Sequence, residues 1–169
     1  MKAKKVAFLG ISVALAMVLS FVESQVTLLI PIYGGYGIKI GLANIVIVFL
    51  LYRFSFWETV AVSLVRVLLV SLLFGNLQTL LFSLAGAVLS LLGMLILKKW
   101  FSEIAVSVAG GVLHNLGQIA VAVLWTQTPE IAFYLPVLLV TGTAAGIVIG
   151  IVSVIVLKRF EKSSINKFL

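Results

Sequence analysis

Six apolar runs, each interrupted by charged or turn-forming residues, organise the chain: Val6–Val22, Gly37–Tyr52, Trp57–Phe74, Leu77–Leu97, Ile104–Thr126 and Ile131–Leu157. A helix needs roughly 20 apolar residues to cross a bilayer. The pattern therefore predicts an all-α bundle of six transmembrane helices in one domain spanning residues 1–169. No low-complexity linker divides it. The second run is the shortest, and the preceding Pro31-Ile32-Tyr33-Gly34-Gly35-Tyr36-Gly37 is too rich in glycine for regular helix. This connection is expected to fold back over the outer mouth of the bundle as a lid, with Tyr33 and Tyr36 helping to close it. A basic start followed by an apolar stretch and Ala14-Leu15-Ala16 imitates a signal peptide, but the run continues to Val22 and reads as a helix.

Composition narrows the solvent. With 63% hydrophobic and 10% charged residues and a mean hydropathy of +1.30, the chain cannot cover its apolar surface as a soluble domain. The net charge of +7 reads as membrane topology. Lys2, Lys4 and Lys5, Arg53, Lys98 and Lys99, and Lys158, Arg159, Lys162 and Lys167 all fall on one side, which places both termini in the cytoplasm and the chain in the cell membrane. Glu23, Lys39 and Glu130 fall on the other, where Trp125 and Tyr134 suit an interfacial belt. The basic residues are dispersed over short loops and tails, which excludes a nucleic-acid surface.

Polar side chains within the apolar runs carry the candidate chemistry. At about 1.5 Å per residue, Arg66 lies about 13 Å into the third run and His114 about 15 Å into the fifth, both near mid-membrane. Ser107, Gly111, His114 and Gln118 share one helical face, with Asn115 at its edge. They either orient a ligand or simply hydrogen-bond a neighbouring helix. Arg66 has no carboxylate at its expected depth, so an external anion would complete its pair; the alternatives are snorkelling toward Glu58 or bonding to backbone carbonyls. Asn44 falls nearer the outer end of the second run. Lys39 either steers the same ligand or faces headgroups. These positions predict an outward-opening cavity bounded by Arg66, His114, Asn115, Gln118, Asn44, Lys39, Tyr33 and Tyr36.

Small residues recur where helix backbones could meet: Gly142-x-x-x-Gly146-x-x-x-Gly150 in the sixth run, and Gly10-x-x-x-Ala14 and Ser12-x-x-x-Ala16-x-x-x-Ser20 on two faces of the first. The sixth-run stripe is expected to pack internally, and one face of the first run to meet a partner subunit. Cysteine and aspartate are both absent and histidine occurs once. No aspartate-rich magnesium site, zinc site or phosphate-binding Gly-Lys-Ser/Thr loop can be assembled. The expectation is a non-enzyme without a cofactor, and active transport would draw its energy from a partner or a gradient.

The strings Lys39-Ile40-Gly41-Leu42-Ala43-Asn44-Ile45, Ser63-Leu64-Val65-Arg66-Val67-Leu68-Leu69, Leu73-Phe74-Gly75, Ser83-Leu84-Ala85-Gly86, His114-Asn115-Leu116-Gly117-Gln118 and Tyr134-Leu135-Pro136 resemble the Gx transporter family, also described as heptaprenyl diphosphate synthase component I. The resemblance covers nearly the whole chain. Six short helices with a folded first outer loop are further similar to the substrate-binding S components of energy-coupling-factor (ECF) vitamin transporters. That likeness implies a subunit that captures a small, anionic or vitamin-like solute and docks on an ATPase-bearing module through an Ala-x-x-x-Ala face of the first helix. Here Gly10/Ala14 or Ser12/Ala16 stand in that place. The synthase name implies instead a non-catalytic membrane partner of a prenyl synthase subunit in making the menaquinone side chain.

Overall fold

The computed structural model describes residues 2–29 and 41–163. Among these the chain is helical throughout: α1 (Lys2–Leu29), α2 (Asn44–Arg53), α3 (Phe56–Phe74), α4 (Leu77–Leu97), α5 (Glu103–Thr126) and α6 (Leu135–Lys162), with a 3₁₀ turn at Pro129–Tyr134 before α6. Side chains set several of the starts. Ser55 opens α3 with a reciprocal capping box to Glu58, Asn76 accepts from the Thr79 N–H at 2.9 Å to open α4, and Ser102 caps α5. These caps satisfy amide donors that the first helical turn leaves without partners. Gln127 ends α5 in the left-handed conformation, at φ 52°.

Among the described residues, five helices are long and apolar enough to cross a membrane: α1, α3, α4, α5 and the turn with α6. The sixth expected span, at the second run, is not confirmed. There α2 holds only 10 residues, about 15 Å of helix, short of a hydrocarbon layer of about 30 Å. The chain arrives through Gly41, whose φ of +79° belongs to a turn that L side chains rarely adopt. Val46 to Leu51 are all buried, so α2 is apolar on every side because protein surrounds it. The first run is also longer than its apolar pattern. Glu23, Ser24 and Gln25 continue α1 instead of ending it. The proposed lid with Tyr33, Tyr36 and Lys39 lies outside the described residues.

Around the bundle the helices follow the order α1, α3, α4, α5, α6, α2, and the most extensive contacts are those of α5 with α4 and α6. Glycine makes both possible. A Cβ on Gly117 would lie 2.6 Å from the Ala85 carbonyl oxygen of α4, and one on Gly146 would lie 2.5 Å from the Val108 Cα of α5. Gly142 and Gly150 meet Gly111 and Ile104 in the same seam. The sixth-run stripe is thus internal packing. Asn115 belongs to this seam, donating its side-chain amide to the Leu138 carbonyl of α6 at 2.7 Å.

The two small faces of α1 part company. Ser12 and Ala16 are buried in the bundle, with the Ser12 hydroxyl donating to the Phe8 carbonyl at 2.9 Å. Gly10 and Ala14 are exposed, and nothing lies within 4 Å of where a Gly10 Cβ would stand. Hence Ser12 and Ala16 are withdrawn from any partner surface and only the Gly10/Ala14 face remains outward. At the end of the bundle where α1 and α3 begin, Lys5 pairs with Glu58 at 2.7 Å and Arg53 with Glu161 at 3.2 Å. Beneath them Phe8, Phe49, Phe54 and Phe160 form one ring cluster that ties α1, α2 and α6 together.

These contacts predict an asymmetric response to added methyl groups. Gly146→Ala must separate two backbones and should destabilise the detergent-solubilised protein by about 1–3 kcal/mol, whereas Gly10→Ala should leave its thermal unfolding unchanged. Asn115→Ala removes an interhelical hydrogen bond and should cost about 0.6–2 kcal/mol, read from the same unfolding curves.

Candidate functional site

A cavity of about 440 Å³ occupies the end of the bundle remote from the Lys5–Glu58 and Arg53–Glu161 pairs, where α1 and α3 finish and α4 begins. Its size falls toward the lower end of small-molecule sites, roughly 300–1,000 Å³. Ser20, Phe21, Glu23, Ser24 and Gln25 contribute from α1, and Arg66, Val67, Val70, Ser71 and Phe74 from α3. Thr79 and Ser83 of α4, His114 of α5, and Gly41 and Asn44 at the entry to α2 complete the wall. Polar groups from four helices and the α2 entry therefore converge on one hollow lined in part by aromatic and branched side chains.

Arg66 sits in this wall and donates from Nη1 to the Ser20 hydroxyl at 3.3 Å, while its Nε is buried without a hydrogen-bond partner. A guanidinium carries five N–H donors, and Ser20 accepts from one of them. The surroundings of Arg66 differ from the sequence expectation. Glu58 is occupied by Lys5 and by the capping box and does not serve Arg66. Glu23 shares the cavity wall with Arg66. This carboxylate is buried, at 6% exposure, and accepts the Gly41 N–H. Sequence reasoning set no carboxylate at the depth of Arg66, and the structure brings Glu23 into the same cavity wall. The difference follows from ending α1 at Val22; once the helix continues, Ser20, Glu23 and Ser24 fall on one face at helical spacing.

His114 owes its place to a missing side chain. A Cβ on Gly86 of α4 would lie 2.8 Å from the imidazole Cε1 and 2.9 Å from Nδ1, so the ring rests directly on the α4 backbone. Its neighbour Asn115 is turned away to Leu138, and Gln118, one turn further along α5, is absent from the cavity wall. Of the eight residues expected to bound a site, Arg66, His114 and Asn44 are brought together; Asn115 and Gln118 are not. Lys39, Tyr33 and Tyr36 lie outside the described residues. Sequence reasoning missed Glu23, Ser20, Ser24, Gln25, Thr79 and Ser83 as a set. Among the described residues, no three His, Cys, Asp or Glu side chains converge in a way that could hold a metal ion.

No curated protein and no solved structure matches the chain, so the likeness to ECF S components finds no support there. The family described as heptaprenyl diphosphate synthase component I matches residues 12–156, a span that takes in every residue of the cavity wall. By this match across most of its length, the chain belongs to the heptaprenyl diphosphate synthase component I family.

Proposed function

We propose that this protein is a non-catalytic membrane component of prenyl diphosphate synthesis, working with a separate synthase subunit. The family match over residues 12–156 carries the reading. The chain has no aspartate, and ionising a prenyl diphosphate calls for carboxylate-held Mg²⁺. The chemistry is therefore assigned to the partner. In this reading both termini are cytoplasmic, since the lysines and arginines gather at the ends of the helices that share the Lys5–Glu58 and Arg53–Glu161 pairs. A soluble synthase would meet the protein on that side.

A second reading is favoured by one specific observation, the polar cavity that reaches Arg66. It makes the chain an S-component-like subunit that captures a small solute and depends on a partner for energy. In that case the exposed Gly10/Ala14 face of α1 is the available docking surface.

Two experiments separate these possibilities. Affinity purification of the tagged full-length chain from membranes should bring down a prenyl diphosphate synthase subunit whose elongation activity rises when both are present. Recovery of an ATPase-bearing module instead would favour solute capture, and recovery of neither, with elongation unchanged, would remove the synthase reading. Because the chain contains no cysteine, its topology can be read without background. Gln127→Cys should react with a membrane-impermeant maleimide on intact cells, whereas Lys99→Cys should react only after permeabilisation.

A further inference from the structure

Helix α6 has two distinct faces. Gly142, Gly146, Ile149, Gly150, Ser153 and Leu157 are buried in the bundle, while Val137, Val140, Val148, Ile151 and Ile155 recur at helical spacing on the opposite face and are all exposed. From Val137 to Ile155 this stripe runs for about 27 Å at 1.5 Å per residue, close to the roughly 30 Å of a hydrocarbon layer. In a bilayer it faces lipid from one boundary to the other. The same face continues into Lys158, Arg159 and Lys162, which follow Ile155 by three, four and seven residues and are exposed as well. Among the described residues no carboxylate pairs with them: Glu58 is taken by Lys5 and Glu161 by Arg53. The sequence after Lys162 contains no aspartate or glutamate and adds Lys167. The helix dipole favours cations in a last turn, but it does not gather them on one face. There Lys162 stands three and four residues from two like charges and is repelled by both. An anion held at that spot would relieve the repulsion.

We infer that Ile155, Lys158, Arg159 and Lys162 form a lateral site for a prenyl diphosphate, with the diphosphate on the three cations and the prenyl chain along the exposed stripe of α6. The stripe faces lipid and the cations stand at its boundary, so the ligand is an amphipath that lies in the membrane. A phosphodiester headgroup carries a single negative charge and would answer one of the three cations. A diphosphate ester carries more than one, and the planar Arg159 fork with two ammonium groups beside it suits the clustered oxygens. The inference rests on the prenyl-synthesis reading above: a chain lengthened by isoprene units becomes too apolar to leave a synthase for water, and the basic end of α6 would receive it on the side of the Lys5–Glu58 pair.

The test uses purified full-length protein in phosphatidylcholine nanodiscs, with empty nanodiscs as the baseline. Geranylgeranyl diphosphate is the probe. Geranylgeraniol supplies the tail without the head, inorganic diphosphate the head without the tail, and phosphatidylglycerol a singly charged lipid. Calorimetric titration should show saturable binding of geranylgeranyl diphosphate that neither the alcohol nor phosphatidylglycerol displaces. The combined Lys158→Gln, Arg159→Gln and Lys162→Gln variant should weaken its Kd by about tenfold or more, since each cation near a membrane surface contributes about fivefold. Lys99→Gln, at the same end of the bundle, should leave it unchanged. Should the triple variant fail to give a monodisperse protein, Arg159→Gln takes its place and should weaken the same probe by a smaller factor. An equal loss in Lys99→Gln would overturn the site in favour of general surface charge. Displacement by phosphatidylglycerol would overturn the diphosphate assignment, and displacement by inorganic diphosphate at matched concentration would overturn the role of the stripe. Absence of saturable binding, with a prenyl synthase co-purifying, would overturn this site and leave the synthase reading standing.

Discussion

Lipid tails are as apolar as the side chains that face them, so helices in a bilayer gain little by hiding from solvent and must cohere through close packing. In this protein that demand falls on α5. It is gripped on one side by α4, where Gly86 and Gly117 admit the facing helix, and on the other by α6, where Gly142, Gly146 and Gly150 do the same. The three helices form a closely joined half of the bundle. The other half, α1 and α3 with α2 between them and α6, is joined less extensively. The cavity lies where the two halves meet. One wall is held by backbone contact, and the other presents the polar side chains of Ser20, Glu23 and Arg66.

Placing charge in such a setting is expensive, on the order of 2.5–3.5 kcal/mol for an arginine at helix centre on insertion scales. The Glu23 carboxylate shares the cavity wall with that arginine while remaining engaged with the backbone of Gly41. One side chain thus joins the end of α1, the entry to α2 and the cavity wall of α3.

Much of the architecture was legible from the apolar runs. Leu77–Leu97 matches α4 residue for residue, and α3 and α5 begin one residue earlier than their runs. Those helices face lipid on one side, so their apolar stretch and their helical stretch coincide. α1 departs from this because Glu23, Ser24 and Gln25 line a polar hollow. There Glu23, Ser24 and Gln25 look like the end of a span although the helix continues. The Arg66–Glu23 relationship was hidden for the same reason, since depth counted along one helix says nothing of a neighbour whose end has been misplaced. The contrasting fates of His114 and Asn115 were also beyond a helical wheel. Both border one face, and only the position of the α6 glycine seam decides which of them turns toward Leu138.

The brevity of α2 has a consequence for how the protein is made. A segment of 10 helical residues offers a bilayer too little length to be held there by itself, and its most extensive neighbour is α6, which leaves the ribosome after α3, α4 and α5. The second helix must therefore wait for the sixth before its last apolar flank is covered.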